Sequence, residues 1–186
     1  MKFALFILAS WLEKDTSAQS RIYDEALEQV EFAEELGFDS VWVAEHHSSR
    51  YGIFPSLTPI LSYMAARTKK IRIGTGVSVL PFHNPIRLAE EAAMLDLLSD
   101  GRLEFGIGSG AYQREFDRMK PGLDQRDSWR YMQEMLPVVK ALWQGDFAHD
   151  GEYWRTGRPG SRRIGNVEKN KSRIQIPKIF LKNKNL

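Results

Sequence analysis

The sequence contains no cysteine. It therefore excludes a disulfide-stapled scaffold and fits a reducing compartment, so we expect the protein in the cytoplasm. No apolar run approaches the roughly 20 residues that span a bilayer, and we expect no membrane association. The His-x-x-x-His spacing of helical zinc sites is also missing, and no metal site is predicted.

The low formal net charge of +2 conceals an uneven distribution. From Arg155 to the chain end there are ten Lys and Arg residues and only one acidic residue, Glu168. A basic tail of this kind can bind nucleic acid or anionic lipid. Because the tail has almost no interleaved aromatic residues and no nucleic-acid-binding motif, we expect a solvated end and no nucleic-acid partner.

The chain does contain alternating short apolar runs and amphipathic segments. The predicted strands are residues 2–9, 38–44, 70–80 and 103–107, and the predicted helices are residues 21–36, 55–67, 86–98 and 126–144. Gly37 is predicted to end the first helix. In the last helix, one buried face is predicted for Trp129, Met132, Leu136, Val139 and Trp143. The repeat indicates parallel α/β structure, either a doubly wound open sheet or a (β/α)₈ barrel.

Three polar residues, Glu45, His46 and His47, follow the apolar run of the second strand. In parallel α/β folds, ligands bind at the carboxyl ends of the strands. Adjacent residues on an extended strand point to opposite faces, so the two histidines are not expected to chelate one ion. The simpler alternative is that one histidine packs while the other is solvated. Their position and pairing favour a catalytic role for all three residues.

Glycines interrupt the third predicted strand at Gly74 and Gly76. Glycine weakens a strand, so two of them indicate the close approach of another backbone or of a ligand.

Several motifs together resemble the bacterial luciferase-like flavin monooxygenases, a family of (β/α)₈ barrels. They are residues 1–3, 34–42, 45–47, 67–71, 74–77, 84–87 and 95–108, in family order. The resemblance implies an α/β fold of the (β/α)₈ TIM-barrel type. A complete barrel takes about 250 residues, so a chain of 186 holds only about the first four to five β/α units.

The resemblance also implies a reaction and its site. Reduced FMN, supplied by a partner flavin reductase, and O₂ would oxygenate a small organic substrate such as an aldehyde or a sulfonate. His46 takes the acid–base role, and the Gly76–Val77 bond matches a cis non-prolyl peptide beneath the flavin ring. The remaining cofactor-binding positions are Gly108, Ser109, Gly110 and Tyr112. Because the family often has an arginine where this chain has Ser109, we expect a weaker hold on the flavin phosphate.

The short chain leaves other possibilities open. We expect a barrel portion at residues 1–156 and a basic segment at 157–186 with a possible fifth strand at 173–181. An open half-barrel exposes strand edges, so we expect a truncated chain or a homo-oligomer that closes by pairing. Two alternative functions are hydride transfer with a deazaflavin coenzyme and no O₂, and a non-catalytic flavin-binding or self-associating fragment.

Overall fold

The computed structural model describes residues 1–12, 18–145 and 148–156. Its strands are β1 (Ala4–Ile7), β2 (Ser40–Val43), β3 (Arg72–Thr75), β4 (Ser78–Val79), β5 (Leu103–Glu104), β6 (Ile107–Gly108), β7 (His149–Asp150) and β8 (Arg155–Thr156). Its helices are α1 (Ala18–Glu35), α2 (Leu57–Arg67), α3 (Pro85–Leu98), α4 (Gln113–Met119) and α5 (Ser128–Trp143), with 3₁₀ turns at Leu80–Phe82 and Gln125–Asp127.

These elements cluster into two compact units. The described part of the first unit comprises Met1–Ser78 and Leu95–Ile107, and that of the second comprises Val79–Met94 and residues 108–156. None of the helices in the described part of the chain is both long and apolar enough to cross a membrane.

The first unit contains a parallel sheet in the order β1-β2-β3-β5. Side chains alternate between its two faces, as in any strand. One face carries the buried side chains of Ile7, Val41, Val43, Ile73 and Leu103. On the other face, Phe6 lies opposite Trp42, and Trp42 lies opposite Gly74. The parallel strands with intervening helices confirm the predicted α/β repeat.

Amphipathic helices of the first unit supply the rest of its core. The buried side chains of α1 and α2 recur at helical spacing, which is the pattern of a helix packed on a sheet. They are Ala26, Leu27, Val30, Ala33, Leu57, Ile60, Leu61, Met64 and Ala65. Gly37 follows α1 with a φ of +79°, so the predicted left-handed helix stop is confirmed.

Two predicted strands are each divided in the structure. Residues 70–80 form β3 and β4, with the Gly76–Val77 bond between them, and a 3₁₀ turn follows. Residues 103–107 form β5 and the start of β6, with Phe105 and Gly106 between them. Glycines at both breaks remove the side chains that favour continuous strand structure.

The helix α4 was not predicted, and the predicted fifth strand cannot be compared with the structure. Helix α4 lies in a stretch predicted to be a loop, because its seven residues are mostly charged and offer little apolar periodicity. The possible fifth strand at 173–181 and the rest of the basic segment lie outside the described residues.

The predicted face of α5 is largely wrong. Of its five predicted residues only Val139 is buried, whereas Met135 and Val138 are buried as well and Trp129 is 44% exposed. Apolar residues occupy several faces of this helix, so periodicity alone could not select the packed one. The indole of Trp143 is half-buried and donates a hydrogen bond to the Ala89 carbonyl at 2.9 Å.

Candidate active site

A buried carboxylate–imidazole pair closes the end of strand β2. Glu45 is 3% exposed and His47 is 7% exposed, and Nε2 of His47 lies 2.9 Å from Oε1 of Glu45. A buried carboxylate is costly unless it is hydrogen-bonded, and His47 meets that requirement. Two of the three predicted catalytic residues therefore form a packed pair.

His46 has different surroundings from His47. Its side chain is half-buried, its ring centroid lies 5.4 Å from that of Tyr51, and its backbone N–H donates to the Phe54 carbonyl at 3.2 Å. The ring of His46 thus contacts Tyr51, whereas the ring of His47 is bonded to Glu45. Within residues 1–12, 18–145 and 148–156, no three His, Cys, Asp or Glu side chains are placed to hold a metal ion.

The loop that follows His47 is tied to the carboxyl end of β1 and to α1. The Ile53 N–H donates to the Ala9 carbonyl at 2.8 Å, and the Gly52 N–H reaches Oγ of Ser10 at 3.4 Å. The Tyr23 hydroxyl donates to the Ile53 carbonyl at 2.7 Å. This loop brings Tyr51 and Gly52 to His46, and the sequence analysis missed it. Its only local signal is a Tyr-Gly pair shortly after the histidines.

The Gly76–Val77 peptide bond is cis, at the position that the family resemblance indicated. A Cβ atom added to Gly76 would lie 3.2 Å from Cε2 of Phe6 and 3.3 Å from Cβ of Trp42. At Gly74 an added Cβ would lie 2.5 Å from the Trp42 ring. The ring of Phe6 is itself 58% exposed. On this face of the sheet, aromatic side chains therefore pack directly against glycine backbone, and the outer ring, that of Phe6, is largely exposed.

Hydrogen bonds anchor the backbone on both sides of that peptide bond. The Thr75 hydroxyl donates to the Gly106 carbonyl at 2.7 Å and accepts from the Gly106 N–H at 2.8 Å. The Ser78 N–H donates to the same carbonyl at 2.9 Å, and the Gly76 N–H donates to the Val43 carbonyl at 2.7 Å. The segment is thus held from two neighbouring strand regions of the first unit.

The other four predicted cofactor-binding residues belong to the second unit. They are Gly108, Ser109, Gly110 and Tyr112. Gly110 has a φ of +90°, and a Cβ there would lie 2.8 Å from the Phe116 ring, so glycine is required at this position. Tyr112 is exposed, and the Arg114 guanidinium lies 4.9 Å from its ring centroid. A positive charge therefore lies on this segment although residue 109 is a serine.

Comparison with known proteins decides the family. A family profile described as luciferase-like monooxygenase matches residues 1–181. The chain belongs to this family. A curated relative, the oxygenase component of a flavin-dependent trigonelline monooxygenase from Acinetobacter baylyi, is 41% identical over 155 residues. That match covers 83% of this chain but 43% of the relative.

Solved structures of the same fold support the TIM-barrel type. The oxygenating constituent of 3,6-diketocamphane monooxygenase from Pseudomonas putida, solved with FMN, matches with a TM-score of 0.79 and 23% identity, covering 92% of this chain and 46% of that one. An F420-dependent secondary alcohol dehydrogenase matches with a TM-score of 0.66 and 25% identity, covering 90% and 51%. The predicted (β/α)₈ TIM-barrel type is confirmed, and the chain spans about half the length of the relatives and solved structures it matches.

Proposed function

We propose that this chain carries the acid–base and flavin-facing part of an FMN-dependent monooxygenase. The observation that carries the proposal is the position of His46. It follows the carboxyl end of β2, beside the buried Glu45–His47 pair, and its side chain remains partly exposed. Membership of the luciferase-like monooxygenase family supports the same reaction class.

Proton transfer is the role proposed for His46. Histidine is the most frequent general acid–base residue, because its imidazole ring can both accept and donate a proton. Glu45 and His47, which are both buried, are proposed to hold the backbone on either side of His46 in place. Their mutual hydrogen bond at 2.9 Å holds both ends of the three-residue turn around His46.

The residues around Gly76 suit the ring of FMN. Phe6 packs closely against Gly76 and its ring is 58% exposed, so it offers an aromatic surface on which a flat aromatic group can stack. Gly108, Ser109, Gly110 and Tyr112 of the second unit remain proposed cofactor-binding residues in their own right, because backbone amides and a hydroxyl suit a phosphate group and the Arg114 guanidinium lies 4.9 Å from the Tyr112 ring centroid. Bound reduced FMN would supply two electrons and two protons, so that one atom of O₂ enters the organic substrate and the other leaves as water.

Binding experiments separate this proposal from its alternatives. We expect the fluorescence of FMN to be quenched when the chain is added. The deazaflavin coenzyme F420 should bind to the chain at least tenfold more weakly than FMN. The opposite preference would favour hydride transfer, a possibility that the fold match to an F420-dependent dehydrogenase keeps open. Binding of FMN without O₂ consumption from reduced FMN and an aldehyde would favour a non-catalytic fragment.

The role of His46 is tested by His46→Ala, with His83→Ala as the control. General acid–base groups contribute about 10²- to 10⁴-fold, so we expect substrate-dependent O₂ consumption to fall by at least about 10²-fold. The thermal midpoint should stay within about 2 °C, because the ring is only half-buried. Parallel losses of activity and thermal stability would show that His46 is structural.

We also propose partners for this chain. The A. baylyi relative is named an oxygenase component, which supports a separate flavin reductase here. Apolar side chains are exposed at Phe32 of α1, at Leu36 directly after that helix and at Tyr63 of α2, and such exposed apolar side chains suit a homo-oligomer. Analytical ultracentrifugation tests the oligomer, and a monomer at micromolar concentration would contradict it.

The lack of cysteine supports a cytoplasmic location.

A further inference from the structure

Gly52 lies directly against the imidazole of His46. A Cβ atom at residue 52 would lie 2.4 Å from Cδ2 of His46 and 2.8 Å from both its Cβ and its Cγ. Real Cβ atoms essentially never approach another heavy atom within 3.0 Å. Gly52 also has a φ of +77°, which residues with a side chain rarely adopt. Two independent constraints thus require glycine at this position.

The clash with an added side chain cannot be relieved by turning the imidazole. Rotation about χ1 moves the ring but leaves Cβ of His46 where it is, and that atom is itself within 2.8 Å. Either the backbone of residue 46 or the loop would therefore have to shift. Both are tied, since the His46 N–H donates to the Phe54 carbonyl and the Ile53 N–H donates to the Ala9 carbonyl.

We infer that Gly52 is a positioning residue that sets the place of the His46 side chain. Its bare backbone allows the loop to come close enough for Tyr51 to contact the same imidazole, at 5.4 Å between ring centroids. A larger residue at position 52 would move the loop away from His46. It would change the contact of residue 52 with the imidazole and the contact of Tyr51 with the same ring. The effect of Gly52 on catalysis rests on the proposed acid–base role of His46. The positioning of the His46 side chain by Gly52 is independent of that role.

The substitution Gly52→Ala tests the inference, with Gly37→Ala as its matched control. Gly37 has a φ of +79°, almost the same as that of Gly52, but an added Cβ there meets no atom within 4 Å. The control therefore reproduces the backbone strain without the contact to His46. A second variant, Gly52→Asn, keeps the Cβ clash while using the residue that tolerates positive φ best after glycine.

Histidine side-chain NMR gives a readout that does not depend on activity. The chain has only four histidines, and the His46 signal is assigned by its loss in His46→Ala. The Tyr51 ring current acts on this signal, so we expect the Hδ2 and Hε1 shifts of His46 to change in both Gly52 variants. They should stay unchanged in Gly37→Ala. The His47 signals should change less, because Glu45 holds that ring at 2.9 Å.

The unaltered protein provides a direct check that needs no variant. A strong nuclear Overhauser effect between the Gly52 α-protons and Hδ2 of His46 is expected, and its absence overturns the inference even if both Gly52 variants fail to fold. Unchanged His46 shifts in a folded Gly52 variant overturn it equally.

Activity measurements distinguish failure of this inference from failure of the proposed function. If His46 is the acid–base group, misplacing it by about 1 Å should lower turnover by up to about 10²-fold while FMN affinity stays within about twofold. If His46→Ala is fully active, the proposed function fails, and the NMR result still decides whether Gly52 positions the ring.

Discussion

Glu34 and Arg102 both bind the turn between α2 and β3. Glu34 accepts hydrogen bonds from its backbone N–H groups, and Arg102 donates hydrogen bonds to its carbonyl oxygens. The Glu34 carboxylate accepts three consecutive backbone N–H groups at 2.7–3.0 Å, those of Lys69, Lys70 and Ile71. The Arg102 guanidinium donates to the carbonyls of Ser99, Ala65, Thr68 and Ile71 and to Oγ1 of Thr68 at 2.8–3.2 Å. The pair thereby fixes the start of the strand that leads to Gly76.

Replacing Arg102 by lysine should destabilise the protein strongly. Arg102 is 9% exposed, and its planar fork reaches partners that one ammonium cannot satisfy together. Hydrogen bonds to charged groups contribute about 1.5–3 kcal/mol each, so we expect Arg102→Lys to lower the free energy of unfolding by about 3 kcal/mol. Urea denaturation followed by circular dichroism measures the difference.

The matched control for that variant is Arg87→Lys. Arg87 is an exposed arginine that makes one contact of 3.3 Å with Glu91, four residues along α3. Exposed pairs of this kind contribute about 0.3–0.5 kcal/mol, so the control should change stability by less than about 0.5 kcal/mol. A loss for Arg102→Lys no greater than that of the control would show that the buried guanidinium contributes little.

Glu34 should make stability depend on pH in the acid range. Burial alone would raise its pKa, but the three N–H donors and Arg102 bring the pKa below the ordinary value of 4.5. A carboxyl with a lowered pKa stabilises the fold above pH 4.5 and loses that contribution as the pH falls through its folded-state value. We expect Glu34→Gln to cost about 1–2 kcal/mol at pH 7 and progressively less as the pH falls below 4.5. A constant difference across this range would contradict the assignment.

Local patterns were enough to predict the alternation of the first parallel strands with α1, α2 and α3, and the end of α1 at Gly37. These features depend on short-range periodicity and on the backbone freedom of glycine. The contact of His46 with Gly52 could not be predicted, because the loop is placed by bonds to Ala9 and Ser10, more than 40 residues earlier in the chain. The split between a buried His47 and a half-buried His46 was left open for the same reason.

Asp96 should weaken the fold at neutral pH. Burial raises its pKa above the ordinary value of 3.8, although the Leu103 N–H and the charge of Arg72 oppose that shift. Its Oδ1 atom is buried and has no hydrogen-bond partner within the described structure. A carboxyl with a raised pKa contributes most stability below pH 3.8 and loses it as the pH rises through the folded-state value.

Replacing Asp96 by asparagine removes this buried charge. We expect Asp96→Asn to raise the free energy of unfolding by about 1 kcal/mol at pH 7. The advantage should shrink as the pH approaches 3.8. Asp24→Asn changes an exposed carboxylate of α1 and should have little effect at any pH. Denaturant titrations from pH 3 to pH 8 measure the difference, and a destabilised Asp96→Asn at neutral pH would show that the charge is needed.

Glu134 in the second unit accepts consecutive backbone N–H groups, as Glu34 does in the first unit. Its carboxylate accepts the N–H groups of Glu152, Tyr153 and Trp154 at 2.8–3.2 Å and lies 3.1 Å from Nε2 of His149. Burial alone would raise its pKa, but the backbone donors and His149 lower it. The contribution is therefore present above pH 4.5 and lost as the pH falls below it.

Glu134→Gln should open the segment from His149 to Thr156 locally while the rest of the unit stays folded. One charged hydrogen bond contributes about 1.5–3 kcal/mol, and 1.4 kcal/mol corresponds to tenfold, so the Tyr153 and Trp154 amides should exchange at least about tenfold faster. Amides of α5 around Val138 should keep their protection. Glu90→Gln, at an exposed carboxylate of the same unit, should leave exchange unchanged. Equal acceleration in α5 and in residues 152–154 would mean that Glu134 stabilises the whole unit and does not act as a local anchor.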